Sequence, residues 1–460
     1  MDPPAGRGGD ILSGAAGRAA AKALRATTEG EVAVPGDARY DALRLPWNRR
    51  LDPRPAVVFR PHSAAEVPTA VAVARTHGLP LAPQSTGHGT ELPCDGGLLL
   101  LTGGLSEITV RPERHSVRVG PGVRMAQVVA AARPHGLTPV AGSGEVGVTG
   151  FVLGGGIGWL SRAHGLAADG LLAADLVTST ADTLTASPDE HPDLHWALRG
   201  GGGNFGVLTA LELRLHPVVD GYGGFAVYDL RHAAGILRRY RELVSAFDET
   251  ATVGVVLYRQ PATPAVPEEL RGRPVVAVRG LFLTSDAAAR RQLRPLLAEA
   301  GRPLLGGFRR LPVAALGVGT TPPTARLQHV DLFRALPDPV LDALVAWAQA
   351  RSGVVEIRLW GGAIARPPVP PGPAGHRDTR FSVLVEAPVG AAGELAALAG
   401  RLAPHATGGT FLNFLSDPGR TRTAFTPAHY DRLVEVKRRH DPENVFHLNH
   451  NIPPEGDGVG

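Results

Sequence analysis

Short apolar runs alternate with amphipathic stretches along the first half of the chain. Strands are predicted at RPAVVFRP, LPLAP, GGLLLLT and HSVRVGPG. Helices are predicted at HSAAEVPTAVAVARTHG, with Ser63 as N-cap, Glu66 three residues on and Gly78 as C-cap, and at MAQVVAAARPHG. This alternation indicates an α+β or α/β fold.

The pattern changes at about residue 220. Predicted strands now follow at GGFAVYDL, TVGVVLYR, PVVAVRGLFL, VVEIRLWGGAI and FSVLVEA, with amphipathic helices at AAGILRRYRELVSAF and PDPVLDALVAWAQARSG. A further helix is predicted at about Ala428–His440. We divide the chain into an N-terminal extension (1–32), a first domain (33–219), a second domain (220–408) and a C-terminal segment (409–460).

Composition restricts the class of protein. A chain of 460 residues exceeds one ordinary hydrophobic core, which agrees with two domains. Its 43% hydrophobic and 20% charged residues are typical of a soluble globular protein, and no run approaches the ~20 apolar residues of a membrane span. The net charge is only +4, and no basic run with interleaved aromatic residues occurs, which argues against nucleic acid and membranes as partners.

Cysteine and histidine usage excludes two further classes. Cys94 is the only cysteine, so no disulfide framework is possible, and a reducing, cytoplasmic location is expected. Residues 1–32 lack the apolar core of a signal peptide, and the first few are expected to be disordered. The histidine pairs come without a third ligand, so we predict no metal site; they are His447 with His450 and His191 with His195.

The stretch PQSTGHGT, residues 83–90, follows a predicted strand. Glycines bracket His88, and the small residues around it allow a flat ligand to lie against the backbone. Taken alone, an ordinary surface loop explains the same letters. The glycine clusters further along the chain favour a ligand site instead.

The second glycine-rich stretch is AGSGEVGVTGFVLGGGIGWLSRAHGLAAD, residues 141–169. Its consecutive glycines, Gly154–Gly156, are incompatible with a stable regular element. Successive backbone N–H groups in such a loop form a concave anion site suited to a pyrophosphate. The alternative is a glycine-rich surface turn.

A formal GxGxxG motif occurs at Gly201, Gly203 and Gly206. A predicted helix precedes it, at Asp193–Leu198, and a predicted strand follows it, at Val207–Leu215. A Rossmann nicotinamide site needs the strand first and the helix afterwards. The motif therefore does not predict a nicotinamide cofactor.

Four ordered stretches together resemble the berberine-bridge-enzyme-like FAD-linked oxidases of the vanillyl-alcohol-oxidase superfamily. They are the TGHG loop, VGVTGFVLGGGIGWLSRAHGLAAD, DLHWALRGGGGNFGVLTALE and YDRLVEVKRRHDPENVFHLNHNIPP, and the resemblance extends from about Val34 to Pro454. It implies a two-part PCMH-type FAD-binding domain and a substrate domain whose antiparallel sheet, covered by helices, roofs the flavin. The C-terminal segment is then expected to return to the FAD domain.

The resemblance also implies how FAD is held. His88 aligns with the histidine that bonds to the flavin 8α carbon. The cysteine of a second covalent link is replaced by Ser143, and Cys94 does not match it, so a single link is expected. Val146 aligns with a position that favours oxygen access when small. The predicted FAD-binding residues are Gln84, Ser85, Thr86, Gly87, His88, Gly89, Ser143, Val146, Gly147, Thr149, Gly150, Gly154, Gly155, Gly158, Val207, Asn449 and Asn451.

The catalytic base is less evident. Relatives often use a tyrosine in a YxN-type motif, but here Phe411 and Phe414 flank Asn413 and carry no hydroxyl. Glu356 and Arg358 alternate along a predicted strand and share one face, so Glu356 is the candidate base and Arg358 an anchor for an oxyanion. A solvated strand face is the alternative.

These features predict an FAD-dependent oxidase. Its expected substrate is a small or medium organic molecule of secondary metabolism, from which a hydride passes to FAD. O2 is the expected electron acceptor and H2O2 the expected product. Two alternatives stay open. One is a non-redox cyclase or isomerase on the same fold, supported by the missing phenol; the other is a flavin-binding protein without catalysis. A monomer or homodimer is expected.

Overall fold

A computed structural model describes residues 7–317 and 323–455. The expected disorder of the first few residues falls mainly outside these ranges. The first part of the chain contains, in order, α1 Arg7–Thr27, β1 Glu31–Ala33, α2 Tyr40–Arg44, β2 Val57–Arg60, α3 Val67–Thr76, β3 Leu81–Gln84, β4 Leu98–Leu101, β5 Ile108–Arg111, β6 Ser116–Val119, α4 Met125–Ala132, α5 Val148–Leu153, α6 Ser161–His164, β7 Leu171–Val177, β8 Thr183–Ala186, α7 Pro192–Leu198 and β9 Val207–Arg214.

These strands form two sheets. In the order β1-β2-β4-β3, the strands β2, β4 and β3 run parallel and β1 is antiparallel. The second sheet, β5-β6-β9-β7-β8, is antiparallel throughout. The reversed order of α7 and β9 around the glycines at 200–206 agrees with the rejection of a Rossmann site.

The rest of the chain contains β10 Asp220–Asp229, α8 Ala233–Leu243, β11 Ala251–Arg259, β12 Pro274–Phe282, α9 Asp286–Leu297, β13 Leu305–Pro312, β14 Arg326–Phe333, α10 Asp338–Ala350, β15 Val354–Leu359, β16 Phe381–Pro388, α11 Ala392–Leu402 and α12 Pro427–His440. The strands form one antiparallel sheet in the order β13-β10-β12-β11-β15-β16-β14. The predicted α+β class, with an antiparallel sheet covered by helices, is confirmed.

Side chains alternate between the two faces of this sheet, so one face is buried in a hydrophobic core and the opposite face can line a site. Val255, Ile357 and Val383 are buried with Ile236 of α8 and Leu344 of α10. Their strand neighbours point to the opposite face of the sheet. This polar face is turned towards the first domain.

The N-terminal extension is more ordered than expected. Helix α1 packs on α3, with Ala20 and Leu24 fully buried beside Val67 and Val71. Its small residues allow this close approach. The helix at 67–76 begins later than predicted, after a 3-10 turn. Ser63 makes no side-chain cap bond there, and Glu66 instead accepts hydrogen bonds from the backbone N–H groups of Glu29 and His62 at 2.6 and 2.7 Å.

The C-terminal segment packs on the first domain. Leu433 of α12 and Ile452 belong to the same hydrophobic core as Trp196 and Leu198 of α7. Lys437 is fully buried, and its ammonium donates to Asp441 at 2.6 Å and to the carbonyls of Asn204 and Phe446 at 2.8 and 3.2 Å. This network fixes the chain that follows α12.

Candidate active site

A cavity of about 800 Å³ lies between the glycine-rich loops of the first domain and the polar face of the second domain's sheet. Its volume is in the range of small-molecule and cofactor sites. The C-terminal segment closes it further through Asn413, Asn449 and His450. The cavity therefore draws on all three parts of the chain.

The PQSTGHGT loop forms one wall of the cavity. Gly87 has a left-handed φ of +73°, and a Cβ at this position would lie 2.8 Å from Pro46. Only glycine satisfies both constraints. The turn places His88 next to Trp47, and their rings stack at a centroid distance of 4.6 Å and an angle of 17°.

The environment of His88 determines its protonation. Its Nδ1 lies 2.8 Å from the hydroxyl of Thr86. Burial, and then the positive charges of Arg124 and Arg326, lower the pKa of His88 to about 4. The imidazole is therefore neutral near pH 7, and one ring nitrogen carries a free lone pair.

The second glycine stretch meets this loop directly. A Cβ on Gly147 would lie 2.9 Å from the hydroxyl of Ser85 and 3.2 Å from that of Thr86, and the N–H of Gly147 donates to Thr86 at 3.3 Å. Gly158 is equally restricted, because its Cβ would lie 2.3 Å from the carbonyl oxygen of Ala141. Part of the stretch is nevertheless regular: Val148–Leu153 form helix α5, which the glycine content had not predicted.

Most of the predicted site residues line this one cavity. They are Gln84, Ser85, Thr86, Gly87, His88, Gly89, Ser143, Val146, Gly147, Thr149, Gly150, Gly154, Gly158, Val207, Asn449, Glu356 and Arg358. Gly155 and Asn451 are not part of the lining. Gly155 instead accommodates a neighbour, since its Cβ would lie 2.8 Å from the ring of Phe411.

The segment around Asn413 is a 3-10 turn, Leu412–Phe414. Asn413 accepts from the N–H of Gly156 at 2.7 Å and donates to the carbonyls of Gly150 and Phe151, both at 3.1 Å. It thus ties the C-terminal segment to the glycine loop. The motif containing it was recognised, but its role as a backbone anchor was not.

The roof of the cavity is charged. Glu356 is 8% exposed and pairs with two arginines, Arg358 at 3.0 Å between Nη2 and Oε2, and Arg279 of β12. Arg326 of β14 pairs with Glu386 at 2.7 Å. Glu356 and Arg358 therefore face the cavity, and the solvated-face alternative is wrong.

Sequence reasoning missed several cavity residues. Trp47, Arg279 and Arg326 lie on elements far from the glycine motifs, so no local pattern marked them. Gln328 also lines the cavity, and its amide donates to the carbonyl of Phe414 at 2.6 Å. Tyr258 does not line it and instead packs against the buried cluster of Val227, Val275 and Ala277.

Known proteins with a related chain are FAD enzymes. Residues 55–187 match the family model described as FAD binding domain, and residues 410–453 match that described as berberine and berberine like. The chain is 33% identical to (R)-6-hydroxynicotine oxidase of Paenarthrobacter nicotinovorans, over 93% of this chain and 97% of that protein. It is 27% identical to xylooligosaccharide oxidase of Thermothelomyces thermophilus, with 89% of both chains covered.

Solved structures agree with these matches. A 6-hydroxy-D-nicotine oxidase from Arthrobacter nicotinovorans superposes with a TM-score of 0.81 at 28% identity, over 93% of this chain and 98% of that one. A berberine-bridge-enzyme-like protein of Physcomitrella patens gives a TM-score of 0.85 at 22% identity, over 95% and 99%. The fold and the site define an FAD-dependent oxidoreductase. More specifically, the chain belongs to the berberine-bridge-enzyme-like FAD-linked oxidases of the vanillyl-alcohol-oxidase superfamily.

The cavity fits FAD on its own evidence. The buried Oγ of Ser85 and Oδ1 of Asn449 both belong to cavity-lining residues, and neither has a protein partner within the described chain. Buried polar atoms need partners, which the polar edges of a cofactor provide. A Cβ on the lining glycines Gly89 and Gly150 would meet no protein atom within 4 Å, so their bare backbone leaves room for a flat group. FAD would thus be held by the 83–90 loop, the 141–158 loop and Asn449.

Neither a metal site nor a membrane-spanning helix is found among the described residues. Among residues 7–317 and 323–455, no group of three or more His, Cys, Asp or Glu side chains is placed to hold a metal ion. Every helix in these ranges is too short or too polar to cross a bilayer.

Proposed function

We propose that this oxidoreductase is an oxidase whose FAD is bonded to His88 and whose substrate is a small or medium organic molecule of secondary metabolism. The observation that carries the proposal is the position of His88, a neutral imidazole facing the cavity under the charged sheet. Bound FAD supplies a hydride acceptor and passes two electrons on to O2, giving H2O2.

The chain's own residues prepare the attachment. A neutral imidazole is a nucleophile, and stacking on Trp47 together with the Thr86 contact fixes the ring plane. Ser143 stands in place of the cysteine of a second link, so one covalent bond is proposed. Val146 lines the cavity at the position where, by the family resemblance, a small residue favours oxygen access, which supports O2 as the acceptor.

Proton handling differs from a phenol-based mechanism. No tyrosine occurs among the described residues that line the cavity. Glu356 is the available carboxylate near the turn after β15, but two guanidinium groups already engage it. These ion pairs occupy the carboxylate and compete with a hydrogen bond to a substrate hydroxyl. We propose that Glu356 orients the two arginines. We also propose that the substrate transfers its C–H hydride with little or no removal of a proton by the protein.

The covalent link is tested by whether the flavin stays with the protein on acid precipitation. Acid precipitation of the purified protein should leave the yellow flavin in the pellet, whereas His88→Ala should release FAD into the supernatant. Cys94→Ser is the matched control and should retain the flavin. Complete release from the wild type would refute the covalent link.

The missing phenol also favours a second candidate, a non-redox cyclase. The two are distinguished during turnover of a substrate found by screening metabolites for product formation. An oxidase consumes O2 and forms H2O2 in step with product, and a cyclase turns over without either.

A further inference from the structure

We infer that the roof of the cavity is an anion subsite, and that the substrate carries a carboxylate bound by Arg279 and Arg358. This inference rests on the proposed function and adds a substrate class to it. It is independent of how the flavin is attached.

The strand register builds the subsite. Gly254 of β11 is paired with Arg279 of β12 on one side and with Arg358 of β15 on the other. Both arginine side chains line the cavity, and the residue between them has no side chain. The two arginine side chains therefore come together over Gly254 on one face of the sheet, where Arg279 Nε lies 3.6 Å from the position that a Cβ of residue 254 would take, and both contact Oε1 of Glu356.

The charges of the roof do not balance. The cavity-lining residues of this sheet include three arginines, Arg279, Arg326 and Arg358, but two glutamates, Glu356 and Glu386. Glu386 pairs with Arg326 at 2.7 Å, so Arg279 and Arg358 share the single carboxylate of Glu356. One positive charge is in excess in a partly desolvated site, and a bound anion would offset it.

The geometry suits a planar oxyanion. A guanidinium has five N–H donors in a rigid fork, and the bonds to Glu356 use three nitrogens of the two groups: Nε and Nη2 of Arg358 and Nη2 of Arg279. Arg358 lies 4.6 Å from the ring centroid of Phe414, and Arg279 lies 5.4 Å from that of Trp159. These ring faces hold both forks in place before a ligand arrives.

The same cavity residues do not favour a cationic substrate. All four glutamates of the lining already pair with arginine: Glu91 with Arg50, Glu145 with Arg124, Glu356 with Arg279 and Arg358, and Glu386 with Arg326. A basic amine would have to compete with these pairs. The lining therefore has unused arginine N–H donors but no unpaired glutamate, which favours an anionic ligand.

The experiment titrates the holoenzyme with three probes of one shape, benzoate, benzamide and benzylamine, followed by the flavin spectrum and by tryptophan fluorescence. Benzoate should bind saturably and at least about 10-fold more tightly than benzamide, as expected for charge-assisted bonds. Arg279→Met should remove this preference. Glu356→Gln should tighten benzoate binding, because it raises the excess positive charge.

Arg239→Gln is the control variant. Arg239 lies on α8, behind the sheet, and pairs with Glu242 at 2.9 Å. It should bind benzoate as the wild type does. The wild-type comparison of the three probes needs no variant, so a misfolded Arg279→Met would not block the test.

The inference is overturned if benzoate gives no saturable response, if benzamide or benzylamine binds as tightly, or if Glu356→Gln weakens benzoate binding. Failure of the proposed function looks different. FAD released by acid would refute the His88 link while the benzoate preference persists in the tryptophan fluorescence. Firmly bound flavin without any preference would refute the anion subsite alone.

Discussion

At the scale of single residues, His88 depends on a partner that the sequence motifs do not contain. Trp47 stacks on one face of His88, and Arg326 lies 4.6 Å from the centroid of the Trp47 ring. Because Arg326 belongs to β14, this stack joins the second domain to the proposed site of flavin attachment. The orientation of His88 is therefore set by both domains.

We expect Trp47→Leu to lower the fraction of covalently bound flavin, because the ring of His88 loses the face that fixes its plane. Such stacking contributes about 0.5–1.5 kcal/mol beyond area burial, enough to loosen the ring without unfolding the loop. The flavin in pellet and supernatant after acid precipitation measures the effect. Trp47→Phe keeps a ring face and should attach flavin normally. Full attachment in Trp47→Leu would show that the stack does not position His88.

At the scale of elements, the sequence predicted most strands and helices that carry a clear period. The strands at 57–60, 81–84 and 98–101 and the helix at 427–440 lie close to their predicted bounds. Helix α1 was not predicted, because glycine and arginine residues interrupt its hydrophobic pattern. Helix α9 was missed for a similar reason, since only three of its twelve residues are fully buried.

The site was predictable where backbone shape demands glycine and unpredictable where distant strands meet. The loops at 83–90 and 141–158 were found because their glycines are required by close contacts. Arg279 and Arg326 could not be found, because their position depends on strand pairing between segments far apart in the chain. Gly155 was assigned to the flavin, although its constraint comes from packing.

Gly155→Ala tests that packing. Gly155 has a φ of +109°, and an added Cβ would lie 2.8 and 2.9 Å from two ring carbons of Phe411, which is 3% exposed. Backbone strain and overpacking together should cost about 2 kcal/mol or more and lower Tm. Gly393→Ala on the exposed side of α11 meets nothing within 4 Å and should leave Tm unchanged or slightly raised. Equal Tm values for both variants would contradict the assignment.

At the scale of the whole molecule, buried polar contacts fix one domain on the other. Arg377 donates to both carboxylate oxygens of Asp169 at 2.8 Å, and these side chains are 10% and 2% exposed. Arg162 of α6 donates to the carbonyls of Ala251 and Asp248 at 2.6 and 3.0 Å. A cavity shared by two domains keeps its shape only if such contacts hold.

Buried histidines make the stability of this assembly depend on pH. His216 stacks on His164 at a centroid distance of 3.9 Å, outside the lining of the main cavity. Burial, and then the charges of His164, Arg214 and His115, lower the pKa of His216 to about 3 from the ordinary 6.5. Between these values the unfolded chain binds a proton that the folded chain does not. The free energy of unfolding therefore falls as the pH falls from about 6.5.

We expect the Tm of the wild type to decline from pH 7 to pH 4, and the Tm of His216→Gln to decline less over the same range, because one of the protons that favour unfolding is removed. His450, whose pKa burial lowers to about 4, acts in the same direction and remains in the variant, so the slope should decrease without vanishing. Scanning calorimetry at half-unit pH steps measures both slopes. His62→Gln changes an exposed histidine and should follow the wild type. Parallel curves for His216→Gln and wild type would show that the buried histidine pair does not govern acid stability.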